Sequence, residues 1–371
     1  MRIETSFAPP RHLADVLSPD ANSFGVLRLL MATFVLVSHS YLFAAGTSSA
    51  EPLQQWLGRS LGEYSVQVFF ILSGILVAQS FDRSRGVLDF GAARVLRIFP
   101  ALIVCVAVTS FVLGPVVSRF GPTEYFSDPD LYSYVFKTLT LSTGSASLPG
   151  VFDTLPFAGY VNSSLWTLKY EVLCYVVLAL LGAAGLFEER WRKVAMIGLV
   201  VLVGTVSLGL PADIEMYGFS DNLRYFIVFF FSGALAYHVR RELVIRGAVL
   251  IPLCALFIGL AKTPFAEVSA ALFLGYGALW AATKTFGPLR AACNRIDASL
   301  GIYIFAGPTQ QGLLWLVPGV THVWLSFLAF AIDLPIALLS WTVIEKPALS
   351  LRAVLSRRSK KHRPPVALPA A

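Results

Sequence analysis

Two side chains that can do chemistry lie eleven residues apart in one apolar stretch, residues 24–45. The stretch, FGVLRLLMATFVLVSHSYLFAA, is long enough to cross a bilayer as a helix. At about 100° per residue, the step from Arg28 to His39 makes three turns plus about 20°, so both lie on one stripe about 16 Å apart. One helix face is therefore predicted to carry a cation and a group that accepts protons at neutral pH.

A second interpretation of this stripe stays open. A charged side chain in hydrocarbon costs roughly 2.5 kcal/mol or more, so Arg28 needs a partner, water or a ligand. Arg28 can instead extend to the membrane interface, and His39 can hydrogen-bond a neighbouring helix.

A carboxylate in another apolar segment adds to the chemistry. Glu171 stands seven residues into residues 164–187, where an acidic group is rarely structural alone. If residues 24–45 run outward and residues 164–187 inward, His39 and Glu171 lie about 9 Å and about 10 Å below the outer ends of their helices. A carboxylate on one imidazole nitrogen fixes the tautomer and stabilises the imidazolium. Whether Glu171 is that carboxylate stays open, and Arg224 is a possible ion-pair partner for it.

The elements that position these groups follow from the composition. The chain has 371 residues, a mean hydropathy of +0.70, 56% hydrophobic residues and 14% charged residues, which is typical of a polytopic membrane protein. Its net charge of +7 does not indicate nucleic-acid binding, because the basic residues lie in short loops between apolar segments. The four cysteines have neither the spacing nor the nearby histidines of a metal site, so we predict no metal and no disulfide framework.

We predict an all-α bundle of ten transmembrane spans, with a polar tail at 1–23, a membrane domain at 24–346 and a basic tail at 347–371. Lysine and arginine number 22 on one side of this arrangement and 4 on the other, which places both termini in the cytosol. The long loop at 118–163 then lies outside the cell and is a plausible lid or acceptor platform. The predicted spans are 24–45, 63–81, 98–117, 164–187, 194–210, 223–239, 247–261, 265–283, 297–317 and 322–344.

This orientation puts Arg28 beside a basic cytosolic loop that contains Arg94 and Arg97. Their three-residue spacing places both on one helical face, which suits a polyphosphate, although topology anchoring explains them equally well. The layout indicates a phosphate-bearing donor that enters from the inside and an acceptor that enters from the outside.

Six sequence blocks in order carry a family resemblance: Arg28-x10-His39, FFILSGI at 69–75, FGAARVLRIFP at 90–100, SSLWTLKYEVLCY at 163–175, SLGIYIFAGPTQQ at 299–311 and IEKP at 344–347. Together they resemble bacterial acyltransferase family 3, whose members are integral-membrane enzymes that O-acylate cell-surface and exported glycans. The blocks cover nearly the whole chain. Two departures stand out, since Ile75 replaces a common phenylalanine and residues 307–311 lack a histidine found in many relatives.

The resemblance implies transfer of an acyl group, usually acetyl, from cytosolic acyl-CoA to a sugar hydroxyl of a glycan or glycolipid, in the bacterial inner membrane. Acyl-CoA is then a co-substrate, and no bound cofactor is expected. It also implies that His39 is a general base or transient acyl carrier, and that Glu171 is a second catalytic group. Arg28, Arg94 and Arg97 are implied to organise the donor.

Further polar or small residues are candidates for a substrate path, each with a structural alternative. Ser73 and Gly74 more often permit close helix packing. Tyr303, Gln310 and Gln311 can line an acceptor path or bond neighbouring helices, and Arg224 can line the path or form an ion pair.

Two functions from other classes compete with the enzyme. Ten helices with buried charges and an interrupted span such as GIYIFAGPTQQG also suit a transporter or flippase. A membrane module that binds acyl-CoA without turnover is a third interpretation. The halves of the chain do not repeat, and the phosphate-suited arginines cluster at one mouth, which favours the enzyme.

Overall fold

The computed structural model describes residues 11–18, 21–142, 147–188, 191, 193–198, 201, 205 and 218–352. Within these ranges the chain is helical apart from one two-stranded sheet and an isolated bridge between Ser118 and Val151. Five helical segments are long and apolar enough to cross a membrane: Phe24–Ala45, Leu61–Arg83, Val87–Val117, Leu165–Ala183 and His322–Arg352. Two shorter apolar helices accompany them.

The helices are α1 (Leu13–Val16), α2 (Phe24–Ala45), α3 (Pro52–Leu57), α4 (Leu61–Arg83), α5 (Val87–Val108), α6 (Gly114–Val117), α7 (Pro122–Ser127), α8 (Pro129–Leu139), α9 (Leu168–Ala183), α10 (Phe219–His238), α11 (Leu250–Leu260), α12 (Ala266–Ala282), α13 (Pro288–Arg295), α14 (Ser299–Leu316) and α15 (His322–Ser340). The strands are β1 (Arg11–His12) and β2 (Val244–Ile245), paired antiparallel. Helices therefore occupy nine of the ten predicted spans, and most of the predicted span 194–210 lies outside the described residues.

Local sequence features determine where α2 ends and where α4 begins. Helix α2 ends at Gly46, whose φ of 72° is a left-handed conformation that glycine adopts without a steric penalty. Helix α4 begins with a capping box, in which Ser60 Oγ accepts from the backbone N–H of Glu63 and Glu63 Oε2 accepts from that of Ser60.

Helix α5 begins eleven residues before the predicted start at 98. Residues 87–97, which we predicted as part of a basic loop, form its first three turns. Their arginines and alanine are good helix formers, so the charge that suggested a loop does not prevent a helix. A π-helical turn at Thr109–Leu113 and α6 extend the same helical segment to Val117. Arg94 and Arg97 therefore project from a helix.

The centre of the bundle is α4, which packs most extensively on α10. Two glycines allow this approach: a Cβ at Gly74 would lie 1.9 Å from the carbonyl oxygen of Phe230, and one at Gly233 would lie 2.0 Å from that of Ile71. Such contacts are possible only where a side chain is missing. Gly74 thus permits the close packing of α4 on α10, which is the structural role predicted as the alternative to substrate contact.

The segments outside the bundle are more ordered than the sequence suggested. In the predicted N-terminal tail, β1 pairs with β2, and α1 buries Leu13 and Val16. In the long loop 118–163, α7 and α8 are helical, and Tyr125 donates a 2.8 Å hydrogen bond to the backbone oxygen of Ser110. The described part of this loop is therefore anchored to the end of the α5 segment.

Candidate active site

Three elements bring an arginine pair and one carboxylate together. Arg28, in the second turn of α2, forms an ion pair with Asp297, which lies just before α14. Arg97 on α5 binds the same carboxylate oxygen at 2.5 Å. Ser299 Oγ donates to the other oxygen at 2.6 Å, so the carboxylate is fixed from several sides.

A second carboxylate anchors Arg97. Glu345 ends a π-helical turn at Trp341–Glu345 and is fully buried, and its Oε2 lies 3.2 Å from Arg97 Nη1. The guanidinium also lies 5.7 Å from the ring centroid of Trp341. Sequence analysis did not select Asp297 or Glu345 as site residues, although Glu345 stands in the IEKP block and Asp297 opens the predicted ninth span.

The charge state of Asp297 follows from these contacts. The guanidinium groups of Arg28 and Arg97 and the hydrogen bonds from Ser299 all favour the ionised carboxylate. Arg28 and Arg97 thus share a permanent counter-charge.

Arg94 differs from its two neighbours in its partners. In the described ranges its guanidinium forms no ion pair; Nη2 donates to Ser80 Oγ at 3.1 Å. Its carbon Cζ lies 5.8 Å from the ring centroids of Phe90 and Tyr175, so apolar surfaces hold the side chain in place. Arg94 is therefore the arginine of this group that is best prepared to bind an external anion.

Glu171 lies in the first turn of α9 and faces α4. Its Oε1 accepts hydrogen bonds from Ser73 Oγ, at 2.9 Å, and from the hydroxyl of Tyr175. Ser73 thus contributes its hydroxyl to the site, while the adjacent Gly74 serves packing.

These groups line one cavity of about 110 Å³, which we call the arginine cavity. Its polar wall includes Arg28, Ser73, Arg94, Arg97, Glu171 and Tyr175.

His39 lies further along α2, and its nearest polar partners are serines of the segment before α9. Its Nδ1 is 3.5 Å from Ser163 Oγ and 3.4 Å from Ser164 Oγ. In the described residues the carboxylate of Glu171 is bound by Ser73 and Tyr175 and does not bond His39, so it is not the partner considered from the sequence. With Nδ1–H donating to a serine oxygen, Nε2 is unprotonated and available as a base.

His39 lines a second cavity, of about 400 Å³, which we call the histidine cavity. Its polar wall includes His39, Gln54, Glu63, Ser163, Ser164 and Asn222, and Trp166 and Phe226 add aromatic surface. A cavity of this volume is within the range of small-molecule sites, and most of the residues that line it are polar.

The two cavities meet at shared wall residues. Val66, Thr167 and Tyr303 line both, and the hydroxyls of Thr167 and Tyr303 lie 2.7 Å apart. Tyr303, a candidate from the sequence, therefore stands between the arginines and the histidine. The arginines therefore lie on one side of this shared wall and His39 on the other, and the two cavities can bind an anionic ligand and a hydroxyl-bearing ligand separately.

Three other candidates lie outside both cavities. Gln310 Nε2 donates to the backbone oxygen of Leu36 and to Ser40 Oγ, and Gln311 Nε2 donates to backbone oxygens of the long loop. Arg224 forms an ion pair with Asp221 on its own helix and does not bond Glu171. The structural alternatives therefore describe Gln310, which bonds a neighbouring helix, and Arg224, which forms an ion pair. Gln311 bonds the long loop and not a neighbouring helix.

Across the ranges that the structure describes, no three His, Cys, Asp or Glu side chains form a group that could hold a metal ion.

Comparison with known proteins extends over most of the chain. Residues 22–345 match a family described as an acyltransferase domain. The chain is 30% identical over 344 residues to an O-acetyl transferase of Shigella phage Sf6, which covers 89% of this chain and 96% of the relative. It is 29% identical over 370 residues to nodulation protein 10 of Rhizobium leguminosarum bv. viciae, covering 91% and 95%. No solved structure matches the chain. The family match over most of the sequence, with the six motif blocks and the two joined cavities, identifies this chain as a member of acyltransferase family 3.

Proposed function

We propose that this chain is an integral-membrane O-acetyltransferase that moves the acyl group of acyl-CoA to a sugar hydroxyl of an exported or cell-surface glycan or glycolipid. The acetyl group and the oxygen acceptor are supported by the relative named O-acetyl transferase. In this proposal the protein crosses the bacterial inner membrane ten times with both termini in the cytosol. The five long apolar helices support a location in the membrane, and the bias of lysine and arginine in the sequence supports cytosolic termini.

The observation that carries the proposal is the junction of the two cavities at Thr167 and Tyr303. A two-substrate transfer needs both reacting atoms within about 3–3.5 Å of each other in a site that excludes water. Two cavities with unlike walls and a common boundary provide separate binding regions with one meeting point.

The arginine cavity suits a phosphate-bearing part of the donor, because CoA carries several phosphate charges and three arginines line the cavity. Arg94 forms charge-assisted hydrogen bonds to phosphate oxygens, while Arg28 and Arg97 keep the cavity wall in place through Asp297. Under the proposed topology the start of α5 faces the cytosol, where acyl-CoA is made.

The acceptor hydroxyl fits the histidine cavity. Nε2 of His39 takes the hydroxyl proton as the sugar oxygen attacks the thioester carbonyl, and a tetrahedral intermediate forms. The carbon–sulfur bond then breaks, CoA leaves as a thiolate and receives the proton from the imidazolium. The products are an ester and free CoA, and His39 returns to its neutral state. An acyl-histidine intermediate is the alternative, in which Nε2 itself attacks the thioester first.

The test uses purified protein in lipid nanodiscs with radiolabelled acetyl-CoA and a sugar acceptor. We expect label to enter the sugar and His39→Ala to lower the transfer rate by about 10²–10⁴-fold, the usual contribution of a general base. The matched control is His322→Ala, because His322 stacks on Tyr41 outside both cavities. Transfer that is undiminished in His39→Ala would remove His39 from the mechanism.

The same protein, reconstituted in nanodiscs and in liposomes, separates the rival functions. A transporter would move a labelled substrate across the liposome membrane without acylating it. A binding module would retain labelled acetyl-CoA without forming product. Label in an ester of the sugar occurs only if the protein is the enzyme.

A further inference from the structure

One carboxylate in the wall of the histidine cavity is held in place without taking part in the proposed proton transfer. Glu63 Oε2 accepts a 2.7 Å hydrogen bond from the backbone N–H of Ser60, and Ser60 Oγ accepts one of 3.1 Å from the N–H of Glu63. This reciprocal cap fixes the side chain at the start of α4. The carboxylate therefore has a defined orientation.

The other oxygen of this carboxylate is buried and accepts no hydrogen bond from the described residues. Its nearest cation is Arg59, with Nη1 at 3.6 Å, beyond hydrogen-bond length. Arg59 is bound more closely to Glu267, whose Oε1 lies 2.7 Å from Nη2 and 3.2 Å from Nε. A buried acceptor in this state has a strong requirement for a donor.

A second buried oxygen in the same wall has the same requirement. Gln54 Oε1 accepts no hydrogen bond within the described part of the chain, while Gln54 Nε2 donates to the backbone oxygen of Gly58 at 3.4 Å. Both oxygens can only accept hydrogen bonds. A ligand that satisfies them must therefore supply at least two donors, as neighbouring hydroxyls of a sugar do.

The charge of Glu63 in this wall, and of Arg59 and Glu267 behind it, restricts the ligand further. Arg59 contributes one positive charge, and Glu63 and Glu267 contribute two negative charges when ionised. An anionic group beside Glu63 would be repelled and would also lose its water. Trp166, in the same wall, offers an aromatic surface to the apolar side of a sugar ring.

We propose that Glu63 and Gln54 bind two hydroxyl groups of the acceptor and that Glu63 restricts the acceptor to sugars without a carboxylate. This inference rests on the proposed acyl transfer to a glycan and adds the chemical class of sugar. Glu63 is thus a specificity residue, and His39 remains the base.

The first measurement compares acceptors on the wild-type protein in nanodiscs with labelled acetyl-CoA. The acceptors are methyl glycosides of neutral hexoses and the corresponding methyl hexuronides. We expect the kcat/KM for the hexuronides to be at least tenfold lower, because like-charge contacts oppose binding.

The second measurement uses Glu63→Gln, which keeps one oxygen for the Ser60 N–H and so preserves the helix cap. The change replaces an acceptor by an amide donor and removes the negative charge. We expect the KM for neutral glycosides to rise roughly tenfold, because the variant loses a charge-assisted hydrogen bond to the acceptor. The change in kcat should be smaller. Discrimination against hexuronides should fall by a similar factor. Gln54→Leu should raise the KM for neutral glycosides without changing the discrimination.

The matched control is Glu267→Gln, which removes a negative charge from the same cluster at a position outside the cavity wall. It should keep the acceptor KM values near those of the wild type. A wild type that prefers hexuronides, or equal KM values for wild type and Glu63→Gln, would overturn this inference and leave acyl transfer intact. A wild type that binds acetyl-CoA and acylates none of the sugars would instead overturn the proposed function, and this inference with it.

Discussion

Replacing Asp297 by asparagine tests the shared counter-charge most directly. One carboxylate oxygen lies between the guanidinium groups of Arg28 and Arg97, and all three side chains are at most 22% exposed. With charge centres about 4 Å apart and an effective dielectric constant near 20, each attraction is about 4 kcal/mol. Desolvation offsets much of this, and breaking such a pair costs about 3–5 kcal/mol net. We expect Asp297→Asn to lower the free energy of unfolding by that amount.

Most of this loss of stability should come from Arg28, which is left without a counter-charge. Arg97 keeps Glu345 in the Asp297→Asn variant, whereas Arg28 keeps only a 3.2 Å hydrogen bond to Ser299 Oγ. Adding Arg28→Gln removes the uncompensated charge, so the double variant should recover much of the stability. A denaturant titration in detergent micelles measures the wild type, the two single variants and the double variant. Additive effects of the two substitutions would refute the counter-charge argument, because residues in one network should be coupled.

The pH dependence and a surface control sharpen this test. An aspartate carboxyl has an ordinary pKa of about 3.9, so well above that pH a change of pH does not alter the charge that Asp297 contributes. The difference between wild type and Asp297→Asn should thus be equal at pH 6 and pH 8. Asp89→Asn, which removes the more exposed ion pair with Arg352, should cost about 1 kcal/mol or less.

Three further predictions address donor binding, the base and packing. Arg94→Gln should raise the KM for acetyl-CoA roughly 10-fold to 100-fold, since a hydrogen bond to a charged group contributes about 1.5–3 kcal/mol. Ser163→Ala and Ser164→Ala should each lower kcat less than about threefold, and the double variant about tenfold, because either hydroxyl can hold Nδ1 of His39. Gly74→Ala should lower the free energy of unfolding by about 1–3 kcal/mol, because its Cβ would lie 1.9 Å from a backbone oxygen of α10.

The arginine and glycine variants each have a matched control in the chain. Arg83→Gln removes the same charge at an exposed position on α4 and should leave the KM for acetyl-CoA unchanged. Gly275→Ala places its Cβ 3.5 Å from Ile71, an ordinary contact, and should change stability little. Single serine variants that each abolish transfer would show that the two hydroxyls are not interchangeable.

The sequence predicted helices well where an apolar run has clear ends. Residues 24–45 form a helix with the predicted bounds because glycine follows them and ends it. The start of α5 was predicted wrongly, because charge was read as a loop signal although residues 87–97 favour a helix. The charged, amphipathic end of a helix has a composition and a periodicity similar to those of a loop. Neither property therefore distinguishes the two in a sequence.

The ion-pair partners of the buried charged residues could not be predicted from local sequence patterns. Arg28 and Asp297 are 269 residues apart in the chain, and Arg97 and Glu345 are 248 apart. No local pattern links such positions, since tertiary packing decides which helices meet. For the same reason the sequence identified Glu171 as functional but not Ser73 and Tyr175 as its partners.

The rise per residue of a helix determines how deep a side chain lies along the helix axis. Packing against other helices determines which cavity that side chain lines. His39 and Glu171 were predicted at similar depth, yet they line different cavities, with Thr167 and Tyr303 in the wall that both cavities share. If the two groups were hydrogen-bonded, the donor and acceptor would compete for one position. Under the proposed mechanism, their separation lets the histidine act on the acceptor while the carboxylate holds Ser73 and Tyr175 on the donor side. Glu171→Gln should therefore raise the KM for acetyl-CoA and leave the KM for the sugar unchanged, and the opposite result would return Glu171 to the side of His39.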